Sequence, residues 1–422
     1  MSYLKGLTYW VLAFLMLAAL ALPGNLKAQG NFVYTNDDIA GANTVSGFSV
    51  ASNGKLTLVP GSPFLTGGTG KGGGYYASNR AAVSTVGTFL FASNGASGNV
   101  SVFTINTRTG ALKLVEGSPF ATQAIKAGDI ALSPTPNGMF LMAAISGSSR
   151  VTVFRIASSG ALTPIKGSPF ATLGDPDGIK VSPNGKFLAV VLADKNQVEI
   201  FGIASNGSLT SLGTAPGAGA VGVAGVDIKC SSKLLYAGEA ASYTTVDAFA
   251  ISYKGALTTV PGSPFEPGVG ENSNVVLLGY IPGDHRIFVD NQNLLFVSNQ
   301  ASGTITVFSV DSDGSLTLVA GSPFPMNSGA HEPAGMATSA DGRLLYVAND
   351  SNRVSVFSVA KSGALTEVAG SPFPTGQPGK LLSITSYPQR AIPWIFSYFG
   401  LCPWVAMSSF RPQVPAPEPR LH

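Results

Sequence analysis

Two of the three histidines in this 422-residue chain have charged neighbours that could support catalysis. His285 stands between Asp284 and Arg286, and His331 precedes Glu332. A histidine can take a proton from water near neutral pH, and a carboxylate beside it can orient the ring. An arginine can hold a carboxylate or a developing oxyanion through paired hydrogen bonds. These residue types indicate a site that activates water and binds an anion, provided that the fold brings them together.

The elements that would position these residues are marked by a repeated tetrapeptide, Gly-Ser-Pro-Phe. Its six copies begin at Gly61, Gly117, Gly167, Gly262, Gly321 and Gly370. A degenerate seventh copy, Gly213-Thr214-Ala215-Pro216, fills the one long gap, and successive copies then lie 46 to 59 residues apart. A repeat of this length with strand-like content predicts a solenoid or a propeller.

The last complete repeat contains four predicted strands. Ala334–Thr338 is followed by an Asp-Gly turn and then by Leu344–Asn349. Arg353–Val359 alternates apolar and polar residues, as a half-buried strand does, and a tight hairpin leads into Ala364–Val368. Four antiparallel strands in about 50 residues are typical of one propeller blade.

Seven such units predict an all-β fold, a seven-bladed β-propeller of four-stranded antiparallel blades. The first unit lacks its innermost strand, because the repeats begin at a second strand once the predicted N-terminal leader, residues 1–28, is removed. The segment Lys380–Thr385 follows the last tetrapeptide and has no other unit to pair with. We therefore expect N-terminal strands to pair with this C-terminal strand and close the ring, which leaves no open sheet edge on that blade.

The repeats also predict which residues share one level at the end of the channel. The innermost-strand position is taken fourteen residues before Asn94, Asn299 or Asn349, and the other blades are aligned on their Ser-Pro turns and apolar strands. In blade order this gives Lys380, Arg80, Asp129, Gly178, Gly225, His285 and Gly335. Three blades present glycine there, and four present an ionisable group.

These repeats resemble the seven-bladed propellers of the lactonase family, which includes 6-phosphogluconolactonase and the fungal carboxymuconate-lactonizing enzymes. They are also similar to YVTN-repeat surface proteins, through strands such as Tyr34-Thr35-Asn36 and Tyr346-Val347-Ala348-Asn349. The resemblance covers about residues 31–387. It implies a Pro-Arg-His-like segment at the start of the innermost strands, but Glu332-Pro333-Ala334-Gly335 and its equivalents lack the Arg-His pair.

The resemblance implies hydrolysis of a small lactone at the channel mouth. His285 or His331 would be the base, oriented by Asp129 or Glu332. The anion would be received by Arg80, Arg286 and Lys380. No cofactor and no metal are predicted.

The alternative is a non-catalytic secreted propeller that binds a protein, a glycan or a small ligand through its loop face. Loss of the Arg-His pair favours this alternative, whereas the family resemblance favours a lactonase. The segment Asn272 to Asp284 is the longest insertion, and we expect it to form a lid or a partner contact. The glycine-rich residues 67–74 lack the ending of a phosphate-binding loop and are predicted to be a flexible inter-blade loop.

The ends of the chain predict export. Residues 1–28 combine Lys5, an apolar core and a small residue, Ala28, at the expected cut, as a secretory signal peptide does. We assign residues 29–387 to the propeller and residues 388–422 to an apolar and Pro-rich tail that is poorly ordered. We expect a secreted or periplasmic protein.

Charge and cysteine content limit the partners. Removal of the leader lowers the formal charge from +3 to +1, because it removes two lysines and no acid. A near-neutral chain has no electrostatic footprint for nucleic acid. Only Cys230 and Cys402 are present, so a disulfide framework is excluded, although one bridge is possible. We expect a monomer without a membrane span in the mature chain.

Overall fold

The computed structural model describes residues 30–73, 80–84, 88–123, 128–217, 223–239, 245–267, 272–278, 294–300, 302–327, 332–378, 380–381 and 383–388. Within these residues the regular secondary structure is entirely β, and the strands form seven antiparallel sheets. The innermost strands of successive sheets contact one another around a closed ring. The predicted seven-bladed propeller is therefore confirmed.

Each blade has four main strands, numbered here from the channel outward, and blade 1 contains Phe32–Asn36. Within the described residues a further strand also pairs with the third strand in five blades, namely Phe64–Gly70, Phe120–Ala121, Phe170–Ala171, Phe324–Pro325 and Phe373–Pro374. The innermost strand of blade 1 is the C-terminal strand Ser383–Tyr387. Those of blades 2 to 7 are Ala81–Val83, Ile130–Pro134, Pro176–Val181, Val223–Ile228, Asn272–Leu278 and Pro333–Thr338. The second strands of blades 1 to 7 are Phe32–Asn36, Phe89–Asn94, Phe140–Ile145, Phe187–Leu192, Leu234–Glu239, Leu294–Asn299 and Leu344–Asn349. The third strands are Gly41–Val50, Asn99–Ile105, Arg150–Ile156, Gln197–Ile203, Val246–Ile251, Thr304–Val310 and Arg353–Val359. The outer strands are Leu56–Leu58, Leu112–Leu114, Leu162–Pro164, Leu209–Pro216, Leu257–Thr259, Leu316–Leu318 and Leu365–Glu367.

The hydrophobic core lies between neighbouring blades. Leu294 and Phe296 of blade 6 pack against Leu345, Val347 and Phe357 of blade 7. A sheet covered on both faces loses the strict alternation of apolar and polar residues, which is why the second strands are nearly continuous apolar runs. Full burial of each such side chain contributes about 1.5–3 kcal/mol, so the inter-blade contacts hold the ring rigid.

The Gly-Ser-Pro-Phe copies form a turn that fastens each outer strand to the third strand. In blade 7 the backbone N–H of Val356 donates to Ser371 Oγ at 3.0 Å, and Phe373 pairs with Val354. The preceding Gly370 has a φ of +85°, a conformation that favours glycine. The same N–H contact is accepted in blades 1, 2, 3, 5 and 6 by Ser62, Ser118, Ser168, Ser263 and Ser322.

The degenerate copy behaves differently. In blade 4 it is absorbed into one continuous outer strand, Leu209–Pro216, with a register shift opposite Ile200 and Phe201. Without the Ser-Pro turn the outer strand simply continues along the third strand. The complete tetrapeptide is therefore a turn signal, and it belongs to the scaffold.

The two ends of the propeller meet in blade 1. Ser383–Tyr387 pairs with Phe32–Asn36, with Phe32 opposite Tyr387 and Asn36 opposite Ser383. The predicted closure is confirmed, although the strand begins at Ser383 and Lys380 precedes it. Leader residues 1–28 and the tail from residue 389 lie outside the described residues, so the domain boundaries there stay predictions.

The prediction for the segment Asn272 to Asp284 is wrong in its first half. Asn272–Leu278 is the innermost strand of blade 6 and pairs with Leu294–Asn299. These residues are therefore part of the ring and do not form a lid. Residues 279–284 lie outside the described part of the chain. Among the residues described above, no helix has the length and apolarity to cross a membrane.

Candidate active site at the mouth of the channel

At one end of the ring each innermost strand begins and each second strand ends, and we call this end the mouth. Charged side chains from five blades lie there, including several that the sequence did not single out. They include Asp37, Asp38, Lys71, Arg80, Asp129, Asp175, Asp177, Asp194, Glu332, Asp350 and Lys380.

Arg80 forms a buried triad with two carboxylates from neighbouring blades. Its Nη1 lies 2.5 Å from Asp38 Oδ2, and its Nη2 lies 2.9 Å from Asp129 Oδ1. Arg80 is 1% exposed, and both aspartates are equally buried. Arg80 and Asp129 each precede an innermost strand, whereas Asp38 lies in the turn that follows the second strand of blade 1. The triad therefore joins blades 1, 2 and 3 at the mouth.

The backbone of Arg80 is fixed by blade 1. Asn36 Nδ2 donates to the carbonyl oxygen of Arg80 at 3.1 Å. The N–H of Ala81 donates to Ser383 Oγ, in the closing strand, at 2.9 Å. Both strands that close the ring thus hold the backbone from which the guanidinium extends.

Lys71 is the more exposed cation of this group. Its backbone N–H donates to Asp38 Oδ1 at 2.9 Å, and its Nζ lies 3.6 Å from Asp129 Oδ2. The side chain of Lys71 is 42% exposed, so its ammonium can meet a ligand in the mouth. Lys71 directly follows the strand Phe64–Gly70. Residues 67–70 of the glycine-rich segment therefore belong to a strand, and the prediction of a flexible loop is wrong for them.

Three aspartates of blade 4 complete this side of the mouth. Asp175 accepts hydrogen bonds from the N–H of Gly147 and from Ser146 Oγ, and its own N–H donates to Asp194 Oδ1. Asp177 is 3% exposed and forms no hydrogen bond with any residue that the structure describes. Burial raises the pKa of Asp177 to about 8, and repulsion from the neighbouring carboxylates adds to this effect.

A second charged group lies at the mouth of blades 7 and 1. Lys380 Nζ is 3.8 Å from Asp350 Oδ2, and Gln300 Nε2 lies 3.5 Å from Glu332 Oε2. Burial raises the pKa of Asp350, the charge of Glu332 raises it further, and Lys380 lowers it. Glu332 has a φ of +46°, an uncommon conformation for a residue other than glycine.

Comparison with protein families identifies the fold's relatives. The sequence pattern of the lactonase family, described as a seven-bladed β-propeller, matches residues 117–226 and 282–382, which together make up half of the chain. This chain belongs to the lactonase family. Comparison with curated protein sequences finds no match.

Solved structures similar to this lactonase propeller share its fold at low sequence identity. A candidate 6-phosphogluconolactonase from Bacteroides uniformis is 16% identical with a TM-score of 0.67, over 85% of this chain and 99% of that one. A similar protein from Bacteroides fragilis is 19% identical with a TM-score of 0.64, over 86% and 99% of the chains. The periplasmic gluconolactonase PpgL of Pseudomonas aeruginosa is 18% identical with a TM-score of 0.62, over 82% and 97%.

Within this lactonase propeller, the sequence-derived candidates form two pairs. Arg80 and Asp129 are in contact, and Glu332 and Lys380 both act on Asp350. His285, Arg286 and His331 lie outside the described residues. Their roles, and those of the four described candidates, stay predictions.

The strand register corrects the level that the sequence assigned to several of these residues. In blade 3, Ala131 pairs with Ala144, so Asp129 lies two residues upstream of the position that Arg80 occupies in blade 2. In blade 6, Asn274 pairs with Ser298. The fourteen-residue count to His285 is therefore wrong, because it assumes one hairpin length in every blade.

The members of the mouth that sequence reasoning missed are Asp37, Asp38, Lys71, Asp175, Asp177, Asp194 and Asp350. A comparison of the residues after each second strand would have found Asp37, Asp38, Asp194 and Asp350, because each lies one or two residues after the end of such a strand. Lys71 and Asp177 carry no such signal, since their positions depend on a strand extension and a bulge. In the described part of the chain, no group of three His, Cys, Asp or Glu residues could hold a metal ion.

Proposed function

We propose that this chain is an exported lactonase that hydrolyses a small lactone at the mouth of its channel. The observation that carries the proposal is the buried triad of Arg80 with Asp38 and Asp129. A buried ion pair seldom stabilises a fold more than apolar side chains of the same size would. In blade 5 the position of Arg80 is occupied by Gly225, so a blade of this chain forms without it. Charged groups that the scaffold does not need indicate a functional site.

The mouth offers the groups that ester hydrolysis requires. Water must lose a proton as it attacks the carbonyl carbon, and the developing oxyanion must be stabilised by donors or cations. Lys71 and Lys380, which are partly exposed, can receive an anionic group of the substrate. Arg80 already binds two carboxylates, so its role would be to hold Asp38 and Asp129 in position at the mouth. In this proposal His285 or His331 supplies the base, with Glu332 beside the second histidine in sequence.

Three observations support export. Residues 1–28 have the composition of a secretory signal peptide. Cys230 is buried and disulfide-bonded, which fits an oxidising compartment outside the cytoplasm. The similar gluconolactonase of Pseudomonas aeruginosa is periplasmic. We therefore expect the substrate to be a lactone that is present outside the cytoplasm.

The proposal is tested with the purified mature protein on a panel of aldonolactones and simple γ- and δ-lactones. Ring opening is followed by acid release, with the spontaneous rate subtracted at each pH. His285→Ala and His331→Ala are assayed beside the wild type, and we expect one of them to lose about 10²-fold or more in rate. Activity unaffected by both changes would remove the histidines from the site. Absence of activity on every lactone would favour a propeller that only binds its ligand.

A further inference from the structure

Asp177 differs from the two aspartates beside it in the way its carboxyl group is held. Asp175 is satisfied by the backbone of blade 3, and Asp194 accepts a backbone N–H. Asp177 is at least as deeply buried, but the residues that the structure describes give it no hydrogen-bond donor.

The position of Asp177 places it at the mouth. It stands at the start of Pro176–Val181, where a bulge between Pro176 and Ile179 interrupts the pairing with the second strand. Bulges next to active sites re-aim a side chain out of the ladder. Asp177 lies close enough to the triad for the charges of Arg80 and Asp129 to act on it.

The charges that face Asp177 favour its neutral form. Burial raises the pKa of its carboxyl to about 8, and the carboxylates of Asp175, Asp129 and Asp194 raise it in that order, whereas Arg80 lowers it. At neutral pH the group therefore carries a proton and can donate it. A carboxylic acid kept neutral in this way can act as a general acid.

We propose that Asp177 is the catalytic residue that delivers a proton to the ring oxygen of the lactone. This inference rests on the proposed lactone hydrolysis. The oxygen of water bonds to the carbonyl carbon, the bond from that carbon to the ring oxygen breaks, and the ring oxygen takes the proton of Asp177. Of the two protons of the attacking water, the histidine base takes one, which returns through solvent to Asp177, and the other leaves as the product acid ionises. The leaving group is an alkoxide, which is a strong base and leaves readily only when it is protonated.

The test compares Asp177→Asn with the wild type across pH 5.5 to 9.5. Asparagine has the same shape and is uncharged, so the variant resembles the protonated wild type and should fold. We expect kcat to fall about 10²-fold or more. The wild type should lose activity above pH 8 as Asp177 ionises, and the variant should lack this decline. Asp194→Asn removes one repelling charge and should move the decline to lower pH. Asp341→Asn, in an exposed turn at the opposite end of the ring, should leave the profile unchanged.

A second measurement does not depend on activity. Infrared difference spectra between the wild type and Asp177→Asn should contain the carbonyl band of a protonated carboxylic acid at pH 7, and this band should vanish near pH 9. Absence of the band, or an active variant with the wild-type pH profile, would overturn the role of Asp177 alone. A wild type without lactonase activity would overturn the proposed function, and with it the proton transfer, even if the band is present.

Discussion

Ser383, in the strand that closes the ring, accepts a hydrogen bond from the N–H of Ala81 at 2.9 Å, immediately next to the buried Arg80. Closure of the propeller and placement of the guanidinium are therefore coupled. Ser386 lies on the same strand and donates to the carbonyl oxygen of Thr338 at 2.8 Å, away from the triad. The two serines form a matched pair for separating the effect of closure on stability from its effect on the site.

Replacement of Ser383 should reduce activity more than replacement of Ser386. Ser383→Ala leaves the buried N–H of Ala81 without its acceptor, which costs about 1–3 kcal/mol and loosens Arg80. Ser386→Ala should cost about 1 kcal/mol and leave kcat unchanged. Urea unfolding and steady-state kinetics measure the two effects. Equal loss of kcat in both variants would contradict the coupling.

Arg80 should be essential for stability only while its two partners are charged. Arg80→Met leaves Asp38 and Asp129 buried without their cation, which should cost about 3–5 kcal/mol. The triple variant that adds Asp38→Asn and Asp129→Asn should recover much of this loss, because no buried charge remains. Chemical denaturation of the single and triple variants provides the comparison. A triple variant no more stable than Arg80→Met would show that the triad charges are not the cause.

The contrast between scaffold and site explains how far the sequence could predict this molecule. The number of blades, the strand order and the ring closure can be predicted from the Gly-Ser-Pro-Phe turn, which begins at Gly370 and its equivalents. This turn is formed by residues adjacent in sequence and is repeated along the chain. Which residues meet at the mouth depends instead on the pairing register between the innermost and second strands. The bulge beside Asp177 and the early strand at Asn272 each shift the chain by a few residues, and no periodic pattern reports such shifts. Arg80 and Asp129 could be predicted because both precede an innermost strand, whereas Lys71 reaches Asp129 from the end of a glycine-rich strand.

Asp37 should make the stability of the fold depend on pH below neutrality. Its carboxyl accepts hydrogen bonds from Thr35, Thr44 and Ser46, which lower its pKa, but burial is the larger effect and raises it to about 6. The folded state therefore holds the proton more tightly than the unfolded chain does. The contribution of Asp37 to stability should be fully present below pH 4 and should fall by roughly 3 kcal/mol as pH rises through 6.

Asp37→Asn should abolish this part of the pH dependence. The difference in unfolding free energy between variant and wild type, measured at pH 4 and pH 7, isolates the contribution of Asp37. Asp313→Asn is the control, because Asp313 is exposed and Ser315 lowers its pKa, so its small effect has the opposite sign. If the difference in unfolding free energy between variant and wild type is the same at pH 4 and pH 7, the pKa of Asp37 is not raised in the folded protein.

Lys71 should contribute to the recognition of anionic substrates. Lys71→Met removes the exposed ammonium but keeps the length of the side chain, so KM should rise several-fold for lactones that carry a carboxylate or phosphate. For uncharged lactones KM should change little, since Arg80 and Asp129 remain paired. Lys361→Met, in an exposed hairpin turn of blade 7, is the matched control. An equal rise in KM for charged and uncharged lactones would exclude charge recognition by Lys71.

The central claim is that the mouth hydrolyses lactones, and the most direct measurement is kcat/KM for lactone ring opening in two arginine variants. Arg80 and Arg343 each contact an aspartate, but Arg343 is exposed and lies at the opposite end of the ring. With folding checked by circular dichroism, Arg80→Met should lose 10²-fold or more in kcat/KM, and Arg343→Met should match the wild type. Wild-type kcat/KM in a folded Arg80→Met variant would contradict the assignment of the site to the mouth.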